Sequence, residues 1–128
     1  MELPHNVVGW FEIPVTDMER AIAFYEAVFE VKLDHRQMGP VDMAMFPGVE
    51  GKIGSGGSLV YSKGNYAPSK DGILIYFTAF SGDLTIELGK VEKAGGKILL
   101  PKTQISPEVG YMGLAMDTEG NRIAFHHR

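Results

Sequence analysis

The chain has 128 residues, 45% hydrophobic and 22% charged, which suits one folded domain and excludes disordered or fibrous architectures. Its formal charge is −4, with no basic run interleaved with aromatics, so it lacks the footprint of a nucleic-acid binder. There is no cysteine, which removes disulfides, thiolate metal sites and cysteine nucleophiles together and fits a reducing cytoplasm.

Glu2, Pro4 and His5 interrupt the N-terminus before any apolar run, so no signal peptide is expected. No apolar stretch reaches the length of a bilayer span, and no membrane association is expected. Residues 7–15 are β-branched and aromatic and read as a strand. Thr16 and Glu19 have capping-box spacing, and Ala21, Ile22, Tyr25, Val28 and Phe29 recur at helical intervals. This predicts a helix over residues 17–29. Strands are expected over 32–36, 41–46 and 57–62, with the Gly-rich stretch 48–57 a loop. That loop is no phosphate cradle, because Lys52 is followed by Ile53 and no GxGxxG run exists.

Residues 65–72, with Pro68 and Asp71-Gly72, read as a connection. A strand over 73–80 follows, then Ser81-Gly82-Asp83 as turn and N-cap. Leu84, Leu88 and Val91 make a helical stripe that stops at Gly95-Gly96. Strands are expected over 97–100, 111–116 and 122–127, the last after the turn Asp117-Thr118-Glu119-Gly120-Asn121. At an offset of 66 residues Phe11 meets Phe77, Asp17 meets Asp83 and Glu26 meets Glu92, with the helix faces in phase. The order is a βαβββ unit used twice, at about 1–65 and 66–128, within one domain.

The segments IPVTDMERAIAFYEAVFEVKL, EKAGGKI and DTEGNRIAFHH resemble, in order and spacing, those of the vicinal-oxygen-chelate superfamily. That group includes glyoxalase I, extradiol dioxygenases and bleomycin-resistance proteins. Asp17, Ala21, Phe24 and Tyr25 match its D-x-x-x-A-x-x-F-Y pattern, and the closing turn resembles D-P-x-G-N with Thr118 in place of Pro. The resemblance spans nearly the whole chain and looks closest to the lactoylglutathione-lyase-related branch. It implies an α+β fold of two βαβββ modules whose sheets surround a cleft, and a homodimer.

It also implies metal ligands, usually His or Glu, on the first and last strand of each module. Carried over by motif spacing, these positions fall on Trp10, Tyr76, Leu59 (or Ser58, one residue earlier) and Ala124. An indole nitrogen only donates, and Leu and Ala carry no lone pairs, so no metal and no other cofactor is expected.

Glu12 and His126 lie two residues beyond Trp10 and Ala124, on the same strand faces, and are the candidates for acid/base work or a displaced metal pair. Trp10 and Tyr76, at matching positions of the repeat, read equally as an aromatic ligand wall or as a plug. The expected cleft residues are Trp10, Glu12, Leu59, Tyr61, Tyr76, Met112, Ala124 and His126. Met38, Met43, Met45, Met112 and Met116 lie on strands around the cleft and read as core filler ahead of ligand contacts. Lys102 and Tyr111 are candidates for a cleft rim, whereas His5, His35 and His127 read as terminal or loop residues. No G-x-S-x-G elbow supports a serine hydrolase.

The resemblance therefore implies a metal-independent protein binding a small apolar or aromatic molecule. The other reading is a metal-dependent lyase, isomerase or dioxygenase using non-standard ligands such as Glu12 and His126.

Overall fold

The computed structural model describes residues 2–128. Its elements are β1 (Trp10–Pro14), α1 (Met18–Phe29), β2 (Asp34–Met38), β3 (Val41–Met45), β4 (Gly56–Tyr61), β5 (Ile75–Thr78), α2 (Leu84–Val91), β6 (Lys97–Ser106), β7 (Gly110–Met116) and β8 (Arg122–His127). The two modules have the same topology: β1-β4-β3-β2 in one sheet and β5-β8-β7-β6 in the other. In each, the first strand runs parallel to the last, and the remaining pairs are antiparallel. The βαβββ repeat predicted from sequence is the observed architecture.

Element ends differ in instructive ways. β1 begins at Trp10, because residues 7–9 find no partner on β4, which itself begins at Gly56 opposite Trp10. β5 likewise begins at Ile75, leaving Ile73 almost fully exposed. β6 runs on to Ser106 through Pro101, which an edge strand tolerates, with shifts of register against β7. The N-cap of α1 is Asp17 rather than Thr16: its carboxylate accepts from Arg20 N at 3.1 Å, as Asp83 accepts from Thr85 N in α2. Past α2, Gly95 takes a φ of 101° while Gly96 N bonds Val91 O and Gly95 N bonds Glu92 O. This left-handed pair of closures ends the helix where the glycines predicted.

Alternation decides what each strand buries. Ile13, Leu59 and Ala44 share one face of the first sheet and pack with Ala21, Phe24, Tyr25 and Val28 of α1. Ile123, Phe125 and Ala115 do the same under Leu84, Leu88 and Val91 of α2. At Gly113, beneath α2, a Cβ would lie 2.7 Å from Leu88 Cδ1, so a side chain there would force Leu88 to shift. One aromatic cluster joins the modules. Phe29 lies 4.7 Å from Phe77 and 5.4 Å from Phe125 between ring centroids, and Tyr25 contacts both Phe46 and Phe77.

A polar clamp reinforces the junction. Glu119, in the turn before β8, accepts from Thr16 N at 2.8 Å, Asp17 N at 2.9 Å and Arg20 Nε at 2.8 Å. The buried Tyr25 hydroxyl donates to Asp117 at 2.6 Å, and Asn121 Nδ2 donates to Pro14 O at 2.8 Å. The turn of the second module thus holds the start of α1 in the first. Among the described residues no helix is long and apolar enough to cross a membrane.

Candidate functional site

β1 and β5 are edge strands of separate sheets, and a groove lies between them. Trp10, Glu12 and Tyr76 line it, together with Val7, Val8, Ile53, Ile73 and the start of β8. Its volume is about 1020 Å³, at the upper end of ordinary small-molecule sites. Alternation explains why these side chains reach it. Phe11 and Ile13 turn toward the helix-packed core, which sends Trp10 and Glu12 to the opposite face of β1. In β5, Phe77 turns inward and Tyr76 outward in the same way. Trp10 is 47% exposed and Tyr76 51%, so neither fills the space as a buried plug.

Glu12 is held by a residue that sequence reasoning did not single out. The Tyr66 hydroxyl, from the connection between modules, donates to Glu12 Oε1 at 2.8 Å. That bond to the carboxylate, with its charge, raises the Tyr66 phenol above its usual pKa. No fixed spacing ties Tyr66 to Glu12, so only the folded chain reveals the pair. The loop residues Ile53, Gly54 and Ser55 were also missed, since a Gly-rich loop carries no periodicity that would aim it.

The remaining predicted site residues scatter. Leu59 is fully buried opposite Ile13 on the helix-packed face, and it belongs to the core rather than to a cleft. Tyr61 shares that face at the strand end, opposite Asp42, and does not line the groove. The residue beside the groove strand is Ser58, which pairs with Glu12 in register and is fully buried with its hydroxyl unpartnered. The internal repeat carried this information: at the 66-residue offset Ser58 meets Ala124, whereas Leu59 meets the core residue Phe125.

Ala124, His126 and Met112 do share the Tyr76 face of the second sheet. None of them lines the groove. His126 Nε2 donates to Val109 O at 2.7 Å, so the fold does not gather Glu12 and His126 into one site. Lys102 and Tyr111 are engaged elsewhere. Lys102 pairs with the Asp83 carboxylate at 3.1 Å and lies 4.6 Å over the Tyr111 ring. The Thr85 backbone N–H and Lys102 hold Asp83 at a pKa of about 2. His127, read as a terminal or loop residue, ends β8, is 9% exposed and packs on Tyr111.

The metal implied by the resemblance fails a donor test. At the carried-over positions the side chains are an indole, a phenol, a methyl and either an isobutyl or a hydroxyl group, with no imidazole or carboxylate. Among the described residues no three His, Cys, Asp or Glu side chains are grouped to hold an ion.

A family model described as Glyoxalase/Bleomycin resistance protein/Dioxygenase superfamily matches residues 7–125. A "Glyoxylase-like domain-containing protein" from Didymella fabae is 33% identical over 123 residues, covering 94% of this chain and 92% of that protein. Solved structures agree in fold. A glyoxalase/bleomycin resistance protein from Albidiferax ferrireducens superposes with a TM-score of 0.69 at 18% identity, covering 96% of this chain and 100% of its own. The E144Q mutant of glyoxalase I from Zea mays gives 0.70 at 22% identity over 91% of this chain, which spans only 45% of the maize enzyme. The family match over most of the length makes this chain a member of the Glyoxalase/Bleomycin resistance protein/Dioxygenase superfamily.

Proposed function

We propose that this protein binds a small apolar or aromatic molecule in the groove between Trp10 and Tyr76, without a metal ion. The observation that carries the reading is that these two aromatics, equivalent in the internal repeat, line one groove and remain half exposed. Each presents a rigid ring at little cost in conformational entropy, and Glu12, fixed by Tyr66, supplies an oriented polar group. The activity proposed is binding. A cytoplasmic location belongs to the same reading.

The test is titration with N-phenyl-1-naphthylamine, a neutral fluorescent aromatic. Saturable binding is expected, and Trp10→Ala and Tyr76→Ala should each weaken it by about tenfold. Thermal unfolding of both variants should stay near that of the parent, because exposed side chains contribute little to stability. Failure of the probe to bind, or variants that bind like the parent, would overturn the reading.

A homodimer is also proposed. Val7, Ile53, Ile73 and Phe80 are between 72% and 97% exposed around the groove, a cluster of apolar surface that self-association would cover. Sedimentation velocity is expected to give twice the monomer mass of 14.0 kDa, and a Phe80→Glu, Ile73→Glu double variant to give the monomer. A monomeric parent at high micromolar concentration would rule the dimer out.

A further inference from the structure

The groove's charge runs against that of the whole chain. Acidic residues outnumber basic ones by 16 to 12, yet the groove and the compartment that continues it are lined by two cations, Lys52 and Arg122, against one carboxylate, Glu12. Glu12 is already engaged by Tyr66. Lys32, Lys70, Lys90 and Lys102 have carboxylate partners, whereas among the described residues Lys52 and Arg122 have none, as is also so of Lys63, Lys93, Lys97 and Arg128.

The second compartment has a volume of about 540 Å³ and adjoins the Trp10 groove through Phe11, Ile53, Ile75 and Tyr76. Its walls include Phe29, Phe46 and Phe77 of the aromatic cluster, with Phe80 at the rim. Among the described residues, Lys52 is the only lysine, arginine or carboxylate residue lining it. A lysine stem lies readily along apolar surface while its ammonium group reaches water, so Lys52 can line an apolar compartment and still offer a charge.

We infer that the ligand is an amphiphilic anion: an apolar body lying from the Tyr76 ring into the phenylalanine compartment, with a carboxylate or similar group against Lys52. This rests on the proposed binding groove and names its ligand class. Lys52 is then the specificity-determining residue. It would discriminate by charge, while Trp10, Tyr76 and the phenylalanines bind the hydrocarbon whatever its head group. Arg122 lines the other compartment, which also holds Glu12.

Trp10 is the sole tryptophan, and its emission reports directly on the groove. The full chain is titrated with dodecanoate, dodecanol and dodecyltrimethylammonium, each below the concentration at which it aggregates. All three should perturb Trp10, with dodecanoate binding about fivefold tighter than dodecanol and the ammonium weakest, as a partly exposed ion pair allows. Lys52→Gln should abolish the preference for dodecanoate over dodecanol, whereas Lys52→Arg should keep it. Equal binding of the three probes, or an undiminished preference in Lys52→Gln, overturns the inference while leaving the apolar groove intact. If no probe perturbs Trp10, the groove reading falls with it.

Discussion

Replacing Glu119 by Gln is expected to destabilise the protein by about 2–3 kcal/mol near neutral pH, because its carboxylate accepts several charge-assisted and backbone hydrogen bonds at once. Its side chain is fully covered, and it satisfies the N–H groups of Thr16 and Asp17, which would otherwise be left open at the start of α1. Burial alone pushes its pKa up. The bonds from Arg20, Asp17, Thr16 and Thr118 outweigh burial and hold it at about 2, against 4.5 for a free glutamate.

The folded-state value is depressed, so the stabilisation is present above pH 4.5 and is lost as pH falls toward 2. Urea unfolding of parent and Glu119→Gln across this range should show a gap that is widest near neutrality and closes as the parent's carboxyl protonates. A gap independent of pH would mean that Glu119 acts through shape alone. The same clamp joins the second module's turn to the first module's helix, so its loss weakens the junction rather than either sheet.

Phe29→Ala is expected to cost about 3–5 kcal/mol, the larger of the two effects, in line with truncation of a buried phenylalanine. Phe29 is the last residue of α1 and is only 5% exposed, with Phe77 and Phe125 of the other module against its ring. Phe77 and Phe125 are fixed opposite each other on paired strands of one sheet, so they cannot move together into the space. The unfolding midpoint should fall by roughly 12 °C. The phenylalanine compartment beside the groove should widen, since Phe29 also forms its wall. A loss below about 1 kcal/mol would show that the modules are held by the polar clamp instead of the aromatic junction.

Legibility in the sequence followed physical locality. The helix of residues 17–29 was readable because its apolar stripe repeats at helical spacing, and its end at Phe29 is the observed one. The predicted cap at Thr16 was displaced to Asp17 because Thr16 N and Oγ1 are both drawn to Glu119, a residue 103 positions away. The site behaved similarly. Trp10 and Tyr76 came from the resemblance by motif spacing and Glu12 from strand alternation, and all three line one groove, whereas a slip of one residue separates Leu59 from its alternative Ser58. On a strand, that slip exchanges the core face for the other one.

The chain's own pattern determined the two βαβββ modules, the extent of α1 and the glycine stop after α2. It also determined that no imidazole or carboxylate occupies the positions where the family's metal ligands are expected, since donor chemistry is a property of the residue itself. Only the tertiary structure decided that Tyr66 holds Glu12, that Glu119 closes the start of α1, and that Lys52 and Arg122 line a groove without carboxylate partners. Those contacts join segments with no fixed separation along the chain. They arise from how two sheets pack around one aromatic cluster, which alternation and helical spacing within a segment do not encode.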